Sequence, residues 1–259
     1  MTDGNKTGVF ADAQDFRPCT IPLHDLEPPV AGEVQLWFLD LASLAGSLRN
    51  ALGGGKEELS HVTTGQLRFA RRFYLRLLLG AYLGLPGKSV RINRQNRGKP
   101  VLDSSVHDCE LHFSMAKSED KLLIGFSTSS HIGVDLEPAR RCARNTIGVA
   151  QRYFSPAEAE SLAAMPAGDL DAAFLRVWAC KEAVVKASGE GIANQFCRFT
   201  VESDMSRPAV VLEFEGEDAR SWSLALVRPG DDFLGAVAIQ GSVRALQAFR
   251  LLPALRSLG

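Results

Sequence analysis

Between residues 66 and 83, apolar side chains recur at Leu67, Phe69, Ala70, Phe73, Leu77, Leu78 and Ala81. That spacing is close to the 3.6-residue period of a helix buried along one side, and Gly84 and Pro86 end it. A second long helix is expected from about residue 169 to 188, closed by Gly189, because glycine adopts the left-handed conformation past a helix end without steric penalty. Ser155-Pro156-Ala157-Glu158 has the form of a capping box with proline in the first turn, so a helix starts there. Residues 41–52 fit a short helix ahead of Gly53-Gly54-Gly55. Runs with strand character cover 34–39, 90–92, 111–113, 121–126 and 132–136, and then 199–201, 210–214, 222–227 and 233–239. Residues 1–30 lack periodicity and read as an irregular arm. The order strand, helix, strands therefore occurs twice, which predicts an α+β fold of two similar lobes, 31–130 and 131–259. The expected arrangement is pseudo-twofold, with the active site at the interface.

Composition narrows the class. A chain of 259 residues, 46% apolar and 23% charged, is neither disordered nor fibrous, and it can bury one large core or two small ones. Its net charge of -1 conceals a strong asymmetry. From Gln66 to Leu102 there are nine basic residues (Arg68, Arg71, Arg72, Arg76, Lys88, Arg91, Arg94, Arg97, Lys99) and no Asp or Glu. Such a stretch reads either as a solvated helix face and turn or as a positive surface facing an anion. Five widely spaced cysteines without a C-x-x-C pair point to reduced thiols in a cytoplasmic protein. The acidic, apolar-poor N-terminus is not a secretory signal, and the longest apolar segment, around 75–85, is too short and too interrupted to span a bilayer. Neither a P-loop nor a dinucleotide fingerprint is present, and His107, Cys109 and His112 match no zinc spacing. Nucleic-acid binding by the basic stretch is disfavoured, because Phe69, Phe73 and Tyr74 sit at core spacing and the overall charge is not basic.

The chemistry concentrates further along. In Gly133-Val134-Asp135-Leu136-Glu137 the two carboxylates are two residues apart, so on a strand they share a face while Val134 and Leu136 enter the other. Paired carboxylates repel unless a cation lies between them, and oxygen ligands suit a hard ion such as Mg²⁺. Alone, D-x-E is a very common tripeptide and reads first as a solvated strand face. In Trp178-Ala179-Cys180-Lys181-Glu182-Ala183-Val184-Val185-Lys186, positions 178, 182 and 186 form one helical stripe with Lys181 beside it, and Trp178 reads as a core anchor. Glu182 and Lys186 could be an ordinary helix pair. Combined with the first motif and the basic stretch, they supply the parts for phosphoryl transfer: metal, general base and phosphate-binding cations.

Together Gly133-Val134-Asp135-Leu136-Glu137, Trp178-x-x-Lys181-Glu182-Ala183-x-x-Lys186 and the preceding Gly98-Lys99-Pro100 turn resemble the 4'-phosphopantetheinyl transferases, in particular the two-lobed surfactin-synthetase-activating type. The resemblance covers about residues 66–199. It implies transfer of the 4'-phosphopantetheine arm of coenzyme A to a serine of an apo acyl or peptidyl carrier protein, with release of 3',5'-ADP. By this resemblance Asp135, Glu137 and Glu182 surround Mg²⁺ (Mn²⁺ would also serve), and Glu182 takes the serine proton. Lys186, with Lys181, neutralises the pyrophosphate. Arg72 meets the nucleotide 3'-phosphate, and Lys99 touches the same end of the cofactor. The family's Phe-Asn-x-Ser-His-Ser is here Phe113-Ser114-Met115-Ala116-Lys117-Ser118, so Lys117, with Ser118, replaces the phosphate-contacting histidine by a permanent cation. The alternative implied by that departure is a homologue that binds carrier proteins with weak or no turnover. Two lobes closing on a cofactor suggest a monomer.

Overall fold

The computed structural model describes residues 15–23, 26–51, 62–95, 98–141, 145–189 and 195–253. The turn at 53–55, Arg97, Cys142 and residues 1–14 of the arm lie outside the described residues. The elements run β1 (Arg17–Thr20), β2 (Glu33–Asp40), α1 (Leu41–Ala51), α2 (Thr64–Leu83), β3 (Ile92–Arg94), β4 (Pro100–Leu102), β5 (His112–Ser118), β6 (Lys121–Ser127) and β7 (Ile132–Pro138). There follow α3 (Thr146–Tyr153), α4 (Pro156–Ala163), α5 (Ala167–Ser188), β8 (Phe199–Val201), β9 (Val211–Phe214), β10 (Trp222–Val227), β11 (Phe233–Gln240) and β12 (Ala245–Leu252). The fold is thus mixed α+β.

The helices begin and end where local chemistry directs. Thr63 and Gln66 exchange hydrogen bonds in a capping box that opens α2, and Ser155 and Glu158 do the same for α4. Gly189 closes α5 at φ 74°, where a side chain would be strained. No helix among the described residues is long and apolar enough to cross a membrane. Among the described residues, Cys19, Cys109, Cys180 and Cys197 form no disulfide.

Two sheets form the frame. The first has the order β1-β12-β2-β6-β5 and the second β10-β11-β7, with β3-β4 and β8-β9 as small ribbons. Alternation along each strand produces three apolar layers. Trp37 and Leu39 of β2, with Leu122, Ile124 and Phe126 of β6, pack under Tyr74, Leu78 and Leu79 of α2. The opposite face, carrying Leu36, Phe38 and Leu123, meets Val134 and Leu136 of β7 and Val237 of β11 between the sheets. Leu224, Leu234 and Ala236 of the second sheet then pack under Ala179, Ala183 and Val184 of α5. Reading across the molecule, the layers are α2, first sheet, second sheet, α5.

Two elements depart from the expectation for the arm and the tail. Residues 17–20 of the arm form β1, which pairs parallel with β12, and β12 itself pairs parallel with β2. The segment 245–252 is Ala-Leu-Gln-Ala-Phe-Arg-Leu-Leu, a composition suited to helix. Partners on both sides make it a strand, including Phe249 stacked on Trp37 at 4.8 Å. The last strand among the described residues therefore lies in the first sheet.

Candidate active site

Strand β7 is held against α5 at a distance only glycine permits. A Cβ on Gly133 would lie 1.9 Å from the Ala183 carbonyl oxygen and 2.4 Å from the Ala187 nitrogen. With Gly133 facing the helix, the alternation along β7 turns Asp135 and Glu137 to the same side, while Val134 and Leu136 fill the layer between the sheets. One turn of α5 separates Glu182 from Lys186. The result is a set of four charged side chains where strand and helix meet.

Their geometry is specific. The Lys186 ammonium donates to Asp135 Oδ1 at 2.6 Å and lies 3.6 Å from Glu182 Oε2. Asp135 is 5% exposed, and its Oδ2 is buried with no hydrogen-bond partner. Glu137 is paired with Arg141, whose guanidinium also sits 5.4 Å above the Trp178 ring centre. Burial pushes the Glu182 carboxyl upward in pKa; Lys186 opposes that shift, while the charges of Asp135 and Glu137 add to it. Glu137 is raised in the same way, first by burial and then by Asp135, against Arg141 and Lys186. The three carboxylates thus feel one another, and cations are what hold them together.

Lys99 reinforces the junction from behind. Its ammonium donates to the carbonyls of Ile132 on β7 and Lys186 on α5, and burial pushes its pKa down to about 8. Lys117 is exposed on β5, and Ser118, buried, begins the turn into β6. Arg72 is exposed on α2 in a groove with Arg68, Phe69, Arg76 and Lys88, whereas Lys99 lines a different cavity with His107, His112 and His131. The two residues expected at one end of the cofactor thus line two different cavities among those described. Trp178 packs its partly buried ring among Phe154, Phe174 and Phe196.

Lys181, expected beside the pyrophosphate, points elsewhere. It is fully buried, paired with Glu158 at 2.8 Å, and it donates to the carbonyls of Phe196 and Phe199. On a helix, one residue of offset from Glu182 turns a side chain through about 100°, enough to send it to another layer. Arg141 went unread as a site residue. It follows Glu137 by four, a spacing with meaning on a helix, but Pro138 ends the strand and a turn brings it back.

Among the described residues, no three His, Cys, Asp or Glu side chains form a ready-made metal group. The donor set still suits a hard cation, since it is all oxygen and includes the unpartnered Oδ2 of Asp135.

A mixed α+β frame with carboxylates and a lysine meeting between strand and helix is one on which phosphoryl-transfer enzymes can be built. A family model described as the 4'-phosphopantetheinyl transferase superfamily matches residues 131–238. The 4'-phosphopantetheinyl transferase HetI of Nostoc sp. is 30% identical over 226 residues, 82% of this chain and 90% of that one. The L-aminoadipate-semialdehyde dehydrogenase-phosphopantetheinyl transferase of Homo sapiens is 24% identical over 79% of this chain and 69% of its own length. The 4'-phosphopantetheinyl transferase psf-1 of Bacillus pumilus is 28% identical over about half of each, 49% and 51%. This chain belongs to the 4'-phosphopantetheinyl transferase superfamily.

Proposed function

We propose that the protein transfers the 4'-phosphopantetheine arm of coenzyme A to a serine hydroxyl of an apo acyl or peptidyl carrier protein, releasing 3',5'-ADP. The observation that carries this reading is the meeting of Asp135, Glu182 and Lys186 between β7 and α5. The serine oxygen forms a bond to the pantetheine-side phosphorus as the bridging P–O bond breaks, and the bond electrons leave with the 5'-phosphate of 3',5'-ADP. Glu182 accepts the serine proton, a task suited to a carboxylate whose pKa burial has raised. Lys186 offers its charge to the pyrophosphate as negative charge builds on the leaving oxygen. Mg²⁺, or Mn²⁺ in its place, would be held by Asp135, Glu182 and Glu137, and when bound it supplies charge neutralisation of the pyrophosphate.

The nucleotide end falls to the acid-free basic stretch, where Arg72 presents a guanidinium to the 3'-phosphate. Lys117 meets phosphate from β5 beside Ser118. Lys99, committed to two carbonyls, serves the cofactor by fixing β7 against α5. The layers α2 with the first sheet and α5 with the second constitute two lobes in a pseudo-twofold arrangement, divided near residue 130 except for β12. A cytoplasmic monomer is the acting unit.

The test is incubation with coenzyme A, Mg²⁺ and several apo carrier proteins, followed by mass spectrometry. The phosphopantetheine mass appears on the carrier with the native protein and is lost in Asp135→Ala, by about a thousandfold in rate. Carrier binding without added mass on any carrier would establish the alternative, a carrier-binding homologue without turnover.

A further inference from the structure

The carboxylate cluster already has two cations of its own, and they are held differently. Arg141 is fixed from two sides, by Glu137 and by the Trp178 ring beneath it. Lys186 has 29% of its side chain exposed, a full hydrogen bond to Asp135 Oδ1, and a longer contact of 3.6 Å to Glu182. Its flexible stem carries three donors, so it is free to exchange one anion for another. The same ammonium cannot neutralise Asp135 and a pyrophosphate to the full extent at once.

Resting on the reading above, we propose that Lys186 is an exchangeable internal counter-ion that competes with the divalent metal for Asp135, so that metal and coenzyme A bind cooperatively through it. Without coenzyme, a metal approaching the unpartnered Oδ2 of Asp135 meets a carboxylate already neutralised by the ammonium on its Oδ1, and the two positive charges repel. When the pyrophosphate arrives it draws Lys186 toward itself, Asp135 regains its uncompensated negative charge, and the site accepts the metal. Linkage makes the effect reciprocal: the factor by which coenzyme tightens metal equals the factor by which metal tightens coenzyme. Arg141, anchored on Trp178, stays with Glu137, which leaves Asp135 and Glu182 as the carboxylates most available to the ion.

The test is calorimetric titration of Mn²⁺ into the full-length protein with and without coenzyme A, corrected for Mn²⁺ binding to coenzyme alone. Lys186→Met is expected to bind Mn²⁺ alone about fivefold or more tighter than the native protein, and its coenzyme coupling factor to shrink by the same ratio. Lys186→Arg, which keeps the charge, is expected to retain weak metal binding, and Arg141→Ala to retain the native coupling factor. Lys186 is partly exposed, so these variants fold, and circular dichroism checks it. Equal or weaker Mn²⁺ affinity in Lys186→Met overturns the proposal while leaving the transferase reading intact, as does tighter affinity with undiminished coupling. Absence of Mn²⁺ binding in the native protein even with coenzyme A overturns the proposal and the metal assignment together, and the carrier mass assay then decides the transferase reading separately.

Discussion

Helix α5 carries two lysines five residues apart, and the flanks they occupy are opposite in character. Lys181 has no exposed side-chain surface, and its three donors are matched by the Glu158 carboxylate and two backbone carbonyls. It also lies 4.2 Å from the Phe199 ring centre, so the ammonium is enclosed. Lys186 keeps part of its surface in solvent, and its carboxylate partners lie at 2.6 and 3.6 Å. The first flank is a closed account of donors and acceptors; the second is open. A lysine with every donor committed to the fold supports architecture, and one with a spare donor beside acids is available for chemistry.

Replacing Lys181 by Met breaks this contrast most severely. It strands the buried Glu158 charge, so the protein should lose about 3–5 kcal/mol of stability in a denaturant titration. The double variant Lys181→Met with Glu158→Gln should regain most of it. A single variant as stable as the native protein but inactive in transfer would move Lys181 back to the phosphate side.

A smaller loss is expected from Gly133→Ala, which thrusts a methyl group into the Ala183 carbonyl and forces β7 from α5. Overpacking of this kind costs about 1–3 kcal/mol. The transition in thermal unfolding should fall, and transfer should fall further than stability alone explains, because Asp135 is carried away from Lys186. Unchanged transfer would mean that the 2.6 Å contact does not set the geometry of the site.

Lys99 provides the mildest test and an intermediate case. Burial lowers its pKa from 10.5 to about 8. Below pH 8 it is charged both folded and unfolded, and the burial penalty is complete; between about 8 and 10.5 the unfolded chain keeps the proton and the folded chain does not. Stability from this group therefore rises as pH increases through that window. Relative to Lys99→Met, the native protein should gain stability between pH 7 and 10, measured by chemical denaturation at each pH. A pH-independent difference would show that Lys99 is as well solvated as a surface lysine.

Much of this was legible in the order of residues. Alternation in Gly133-Val134-Asp135-Leu136-Glu137 directs both acids to one face, and the strand does so with Val134 and Leu136 in the layer behind. The 3.6-residue rhythm placed α2, and Gly189 marked the end of α5. What escaped depends on contacts between distant segments. The burial of Lys181 is set by Glu158 in another helix and by carbonyls of the 196–199 turn, and no local pattern carries that information. Arg141 reaches Glu137 through a turn, where helical spacing is misleading. β12 has helix-forming residues and becomes a strand because β1 and β2 stand open on either side of it.

That last strand governs the order in which the protein can be made. β12 inserts between β1 and β2 by parallel pairing on both edges, so those two strands cannot meet the partner that joins them until residues 245–252 have left the ribosome. Until then β2 has β6 on one side and an open hydrogen-bonding edge on the other. Co-translational folding of the first sheet thus stops at β2, β6 and β5, and the nascent chain carries an unpaired edge until β12 has emerged.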